Sequence, residues 1–205
     1  MTDHGTTPSS LFTQPTMVVS QKAKVIEVTN QYRVSDADGN HLASVNQVGQ
    51  SKAKKMLRLV SNLDQFMTHK LEITDVGGAV LLRLTRPAKV LKSTVIVSDA
   101  NDVEIGRIAQ DNVFGKIHFS IQIGGATVGA IKAENWRAWD FRIEDETGAE
   151  VARVSKQYAG ALKEIFTTAD NYMVSIPTPL AQPFASMVVA AALSIDTALK
   201  QDDRA

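Results

Sequence analysis

One motif recurs along the chain and limits what it can fold into. Four segments, "YRVSDADGNHLASV", "LEITDVGGAVLLRL", "VIVSDANDVEIGRI" and "FRIEDETGAEVARV", each read apolar-x-apolar-x-Asp, then a turn, then two apolar residues three apart. The aspartates are Asp36, Asp75, Asp99 and Asp145, and the apolar pairs are Leu42/Val45, Leu81/Leu84, Ile105/Ile108 and Val151/Val154. A fifth copy, "FSIQIGGATVGAI", has Ile123 in place of the aspartate and a turn one residue shorter. Successive copies start 39, 24, 24 and 22 residues apart. Apolar-x-apolar is the period of a half-buried strand. Asp followed by Gly or Asn ahead of a second short strand is hairpin chemistry. The repeat therefore predicts five antiparallel hairpins in one large sheet, with "AKVIEVTN" and "MLRLVSN" as further strands. Such a sheet closes into a barrel or folds as a sandwich, and closure removes the exposed edges.

The turn "DADGN" at Asp36 imitates the start of an EF-hand loop. That loop needs Gly at its sixth position and Glu at its twelfth, and His41 and Gln47 stand there. An aspartate that recurs in four hairpins is instead explained by side-chain hydrogen bonds to turn backbone.

Two segments depart from the β pattern. "QYAGALKEIF" (157–166) places Tyr158, Leu162, Ile165 and Phe166 at helical spacing and predicts a short amphipathic helix. "NYMVSIP" then alternates as a strand through Tyr172, Val174 and Ile176. The last segment opens at Pro183, which suits a helix first turn, and carries no charge up to Ile195. That run spans about 20 Å as a helix, short of the roughly 30 Å of a bilayer core. Extending it would bury Asp196 in lipid. Its small residues favour a helix enclosed by strands, with the helix running over 183–199.

The chain has 205 residues and no cysteine, with 22 basic and 22 acidic residues. Disulfides, thiolate metal sites and a cysteine nucleophile are excluded, and nucleic acid finds no global electrostatic attraction. The opening "MTDHGTTPSSLFTQPTMVV" lacks the basic and apolar regions of a signal peptide. It reads as a flexible lead-in over 1–16, followed by one domain over 17–200 and a polar tail over 201–205. P-loop, G-x-S-x-G and H-E-x-x-H motifs are absent, and His4, His41, His69 and His118 are scattered. A non-enzymatic protein is expected. Trp136 and Trp139 in "NWRAWDF" are expected to pack at a barrel rim or core.

The β repeat, the stretch "DFRIEDETGAEVARVSKQYAGALKEIFTTADNYMVSIP" and the apolar C-terminal helix together resemble the phospholipid scramblase family, grouped with LURP-one-related proteins and the Tubby C-terminal domain. The matching positions include Phe141, Ile143, Gly148, Lys156, Tyr158, Gly160, Glu164, Phe166, Asp170, Asn171 and Pro177. "EIGRIAQ" (104–110) resembles a further family segment. The resemblance implies a closed antiparallel barrel of about twelve strands around a buried C-terminal helix. It implies a phospholipid-binding, membrane-associated protein with lipid scrambling as the family activity, or a LURP-one-like binding module without transport. Tubby relatives imply anionic headgroups bound by surface cations, and "SKAKKMLR" supplies Lys52, Lys54, Lys55 and Arg58; the same segment also reads as a solvated strand or loop whose lysines guard an edge. The family's calcium segment is degenerate here. Asp170 and Asn171 remain, while Thr168 and Pro179 stand where carboxylates are needed, so no cofactor is expected. The expected location is cytoplasmic, peripheral to the inner face of the plasma membrane.

Overall fold

A computed structural model describes residues 9–21, 30–49, 68–88, 92–112, 115–156 and 171–195. The strands are β1 (Thr16–Gln21), β2 (Asn30–Ser35), β3 (His41–Val48), β4 (His69–Asp75), β5 (Val80–Arg86) and β6 (Thr94–Ser98). They continue as β7 (Glu104–Gln110), β8 (Ile117–Ile123), β9 (Ala126–Ala133), β10 (Asp140–Asp145), β11 (Glu150–Ser155) and β12 (Asn171–Ser175), followed by helix α1 (Phe184–Ser194). Each strand pairs antiparallel with its sequence neighbour, and β1 closes the circle between β2 and β12. The result is a closed twelve-stranded barrel.

All five expected hairpins form: β2–β3, β4–β5, β6–β7, β8–β9 and β10–β11. In the four that contain Asp, the carboxylate holds the turn from inside. The Oδ1 atoms of Asp36, Asp75, Asp99 and Asp145 accept the backbone N–H four residues on, at 2.8, 2.8, 2.9 and 3.1 Å. The residue three places after each Asp donates its N–H back to the Asp carbonyl and has positive φ: Gly39, Gly78, Asp102 and Gly148. A type I turn closed by a left-handed residue pairs with a bulge, and each of these hairpins shifts register just before its Asp. In β8–β9, Gly124 and Gly125 both take positive φ and make the shorter, two-residue turn.

The turns all lie at one end of the barrel, which we call the turn end. The longer β1–β2, β3–β4, β5–β6, β7–β8, β9–β10 and β11–β12 connections begin and finish at the opposite, connection end. The segments "AKVIEVTN", "MLRLVSN" and 157–166 fall mostly or wholly outside the described residues. The expected lead-in contains a 3-10 turn, Ser10–Phe12, whose Leu11 is fully buried.

Helix α1 enters from the turn end and fills the lumen, as its apolar circumference requires. From Ala185 to Ile195 no residue is more than 6% exposed. Its two hydroxyls are satisfied locally: Ser186 donates to Gln182 Oε1 at 2.7 Å and Ser194 to the Ala191 carbonyl at 2.9 Å. Two strand glycines make room for it. A Cβ on Gly106 would meet the Gln122 carbonyl at 2.2 Å and Met187 Sδ at 3.0 Å. One on Gly129 would meet the Glu144 carbonyl at 2.5 Å and the Phe184 ring at 3.1 Å. Both neighbouring backbones approach next to the bulges, where strand glycine is favoured. Among the described residues no helix is long and apolar enough to cross a membrane.

Candidate functional site

The connection end carries the chemistry, and the alternation of the strands builds it. On β3–β5 the inward positions are aliphatic near the turns and become polar at the connection end. Gln47 Nε2 donates to His69 Nδ1 at 3.3 Å, and His69 is paired directly across the sheet with Arg86. His69 and Arg86 are 4% and 2% exposed, so an imidazole and a guanidinium sit inside the barrel wall. Every other inward position of β4 and β5 described as buried is Leu or Ile.

Across the lumen the same end is aromatic. Trp139 ends the β9–β10 connection with φ of 46°, and its side chain is buried. The ring meets Phe141 edge-on at 5.9 Å and Tyr172 at 5.6 Å. Trp136 bridges Phe141 and Phe119 at 5.5 and 6.4 Å. The Lys156 Nζ stands 4.3 Å from the Trp139 ring centre, within cation–π range, and the Lys156 N–H donates to the Trp139 carbonyl at 3.2 Å. Both tryptophans thus pack at the rim and core, as expected from the sequence. The Lys156–Trp139 pair was not foreseeable, because only the β10–β11 register, with Asp140 opposite Ser155, brings the two together.

The residues that carry the family resemblance divide between these parts. Phe141 and Ile143 face the lumen and are fully buried. Gly148 is the left-handed turn residue at φ 84°. Asn171 is the first residue of β12, pairs with Ser20 and is 7% exposed. Asp170, Lys52, Lys54, Lys55 and Arg58 lie outside the described residues. The flanks of the lysine segment, Gly49 and Thr68, are at the connection end. Among the described residues no three His, Asp or Glu side chains gather as a metal group would require.

Charged side chains on the outer wall form cross-strand pairs. Arg153 grips Asp140 through two bonds of 2.7 Å, and that hydrogen bonding holds the Asp140 carboxyl below its usual range against the opposing effect of burial. Lys132 meets Glu144 at 2.6 Å, and Arg83 meets Glu72 at 3.1 Å. These pairs clip neighbouring strands and leave few charges free on the barrel side.

A family model described as Scramblase matches residues 2–199. The chain belongs to the scramblase family. Among curated relatives of this scramblase-family chain, Altered inheritance rate of mitochondria protein 25 of Saccharomyces cerevisiae is 22% identical over 83% of this chain and 61% of its own length. A phospholipid scramblase family protein of Schizosaccharomyces pombe is 22% identical over 80% of this chain and 46% of its own length. The chain thus spans about half to three-fifths of these relatives. An Arabidopsis thaliana protein of known X-ray structure superposes with a TM-score of 0.49 at 13% identity, covering 89% of this chain and 93% of that one.

Proposed function

We propose that this protein is a non-catalytic, phospholipid-binding barrel that associates peripherally with an anionic membrane surface. The observation that carries this reading is the scramblase family match over residues 2–199, nearly the whole chain and all of the barrel. The headgroup contacts assigned here are Lys52, Lys54, Lys55 and Arg58, each contributing about 1 kcal/mol near an anionic surface. The site of action is the cytoplasmic face of the plasma membrane. Calcium is not required for binding: Asn171 is built into the sheet, Pro179 offers no side-chain oxygen, and calcium takes six to eight oxygens.

Vesicle flotation tests the reading. Vesicles containing phosphatidylserine should carry the protein up the gradient equally in calcium and in chelator, and vesicles of phosphatidylcholine alone should not. Lys52→Glu with Lys55→Glu should weaken binding by at least about tenfold. Absent flotation on anionic vesicles, or binding unmoved by the double reversal, would sink the proposal.

A second reading, a binding module without lipid transport, is favoured by the filled lumen. Reconstitution with fluorescent lipid separates the two. Flip above the protein-free rate supports scrambling, and binding without flip supports the module.

A further inference from the structure

The Asp turns have an electrostatic consequence along the barrel axis. At the turn end stand Asp36, Asp38, Asp75, Asp99, Asp145 and Glu146, none of them in an ion pair among the described residues. The turn segments 36–40, 75–79, 99–103 and 145–149 contain no Lys or Arg. Hydrogen bonds from Asn40 and Thr147, then from turn N–H groups, hold the Asp36 and Asp145 carboxyls below their usual range. Those two carboxylates stay ionised at any physiological pH.

Among the described residues the connection end has the opposite balance. Lys70 is exposed, one residue into β4. Lys92 precedes β6 with its Nζ on the Asp111 carbonyl at 2.6 Å. Arg137 is exposed in the β9–β10 connection, and Lys156 leaves β11 over Trp139. The acidic groups there among the described residues are engaged: Glu134 with Lys116 at 2.8 Å, Asp140 with Arg153 at 2.7 Å and Asp111 with His118 at 3.0 Å. Among the described residues, unpaired acid thus gathers at one end of the barrel and basic side chains at the other.

Strands of about seven residues, tilted as in barrels, separate the two ends by about 18 Å. The Debye length at physiological ionic strength is about 8 Å. An anionic surface touching one end is therefore screened from the other, and the ends act independently.

From this charge distribution we infer that the barrel docks on anionic phospholipid end-on, with the connection end (Lys70, Lys92, Arg137 and Lys156) toward the headgroups and the turn end toward solvent. The inference rests on the phospholipid-binding reading above and adds the docking face and its residues. The turns supply a competing face, because the exposed valines Val76 and Val103, 67% and 61% exposed, sit at the β4–β5 and β6–β7 tips. Apolar tips of that kind would insert if the barrel met the membrane the other way.

The natural absence of cysteine permits single reporters. Val76→Cys at the turn end and Ala138→Cys at the connection end, both exposed, are labelled with an environment-sensitive fluorophore and mixed with phosphatidylcholine–phosphatidylserine vesicles. The Ala138 reporter should shift to the blue and brighten, reversed by salt, and the Val76 reporter should not change. A Val76 response, or equal responses from both, overturns end-on docking while leaving phospholipid binding standing. No flotation of either labelled protein overturns both readings together. The unlabelled charge variants give a second measure. Lys70→Glu with Arg137→Glu should weaken vesicle partition about tenfold, and Asp38→Lys with Glu146→Lys should change it less than about twofold. Equal sensitivity at the two ends would also overturn the orientation.

Discussion

At the scale of the residue, the fold depends on a few positions whose chemistry has no substitute. The Asp145 carboxylate serves Thr147 and Ala149 together, and its lowered pKa makes that a pH-dependent contribution. A depressed folded-state value means stability that is present above the unfolded pKa, about 3.9 for Asp, and lost as pH falls through the folded value. Asp145→Ala should therefore lower Tm near neutrality, and the gap to the natural protein should close as the medium is acidified below the usual Asp range. A gap that persists in acid would mean the loss is steric and not ionic. Asp102 offers the converse test. It occupies, at φ 63°, the left-handed place that glycine fills in the three other Asp hairpins. Its contact with Arg83 is long, at 3.5 Å, with the Asp102 side chain 76% exposed, and such pairs contribute little. Asp102→Gly should stabilise by about 0.5–1 kcal/mol, read as a higher denaturation midpoint at unchanged m-value. Gly106 is the opposite case, because any side chain there meets backbone as well as Met187. Gly106→Ala should destabilise by about 1–3 kcal/mol, and Met187→Ala should not rescue it, since the nearer obstacle is the Gln122 carbonyl.

At the scale of the element, what was legible in the sequence is what local chemistry marks. Four of the five hairpins announce themselves because Asp, two residues and a left-handed residue write the turn within one short window, and the fifth does so through its Gly-Gly pair. Helix α1 was legible for the same reason: a charge-free run too short for a bilayer has only a lumen to occupy. β1 escaped notice because nothing local marks it. "TMVVSQ" has no adjoining hairpin turn: it reaches β2 only across the longer β1–β2 connection, and its other partner, β12 around Met173, lies at the far end of the chain. The polar pair His69–Arg86 was equally hidden, since only the cross-strand register brings those two residues together inside the wall. The candidate lipid contacts were legible as a lysine cluster, and the sequence showed nothing of the end on which their flanks converge. The helix gives a direct test of packing at this scale. Ala191 is fully buried with strands on every side, so Ala191→Leu should cost about 1–3 kcal/mol. A conservative swap at an exposed turn position, such as Val103→Ile, should cost almost nothing.

At the scale of the whole molecule, the filled lumen decides where a lipid can go. A phospholipid acyl chain cannot share the barrel with α1, because Met187 through Ile195 are packed at no more than 1% exposure and the wall glycines have already been spent on contact with the helix. Any lipid movement along this protein therefore runs over its exterior or at the connection end, unless α1 first leaves. Leaving would expose an apolar stretch of about eleven residues and empty the core of the barrel, an event comparable in cost to global unfolding. Amide exchange reads this directly, since protection reports the free energy of the opening that exposes each N–H. Residues 187–195 should be among the slowest amides in the chain, and adding phosphatidylserine vesicles should leave their rates unchanged while slowing the β9–β10 connection around Arg137. Faster exchange in α1 on membranes would show that the helix withdraws at the surface, and the barrel would then work by opening instead of by presenting a fixed basic end.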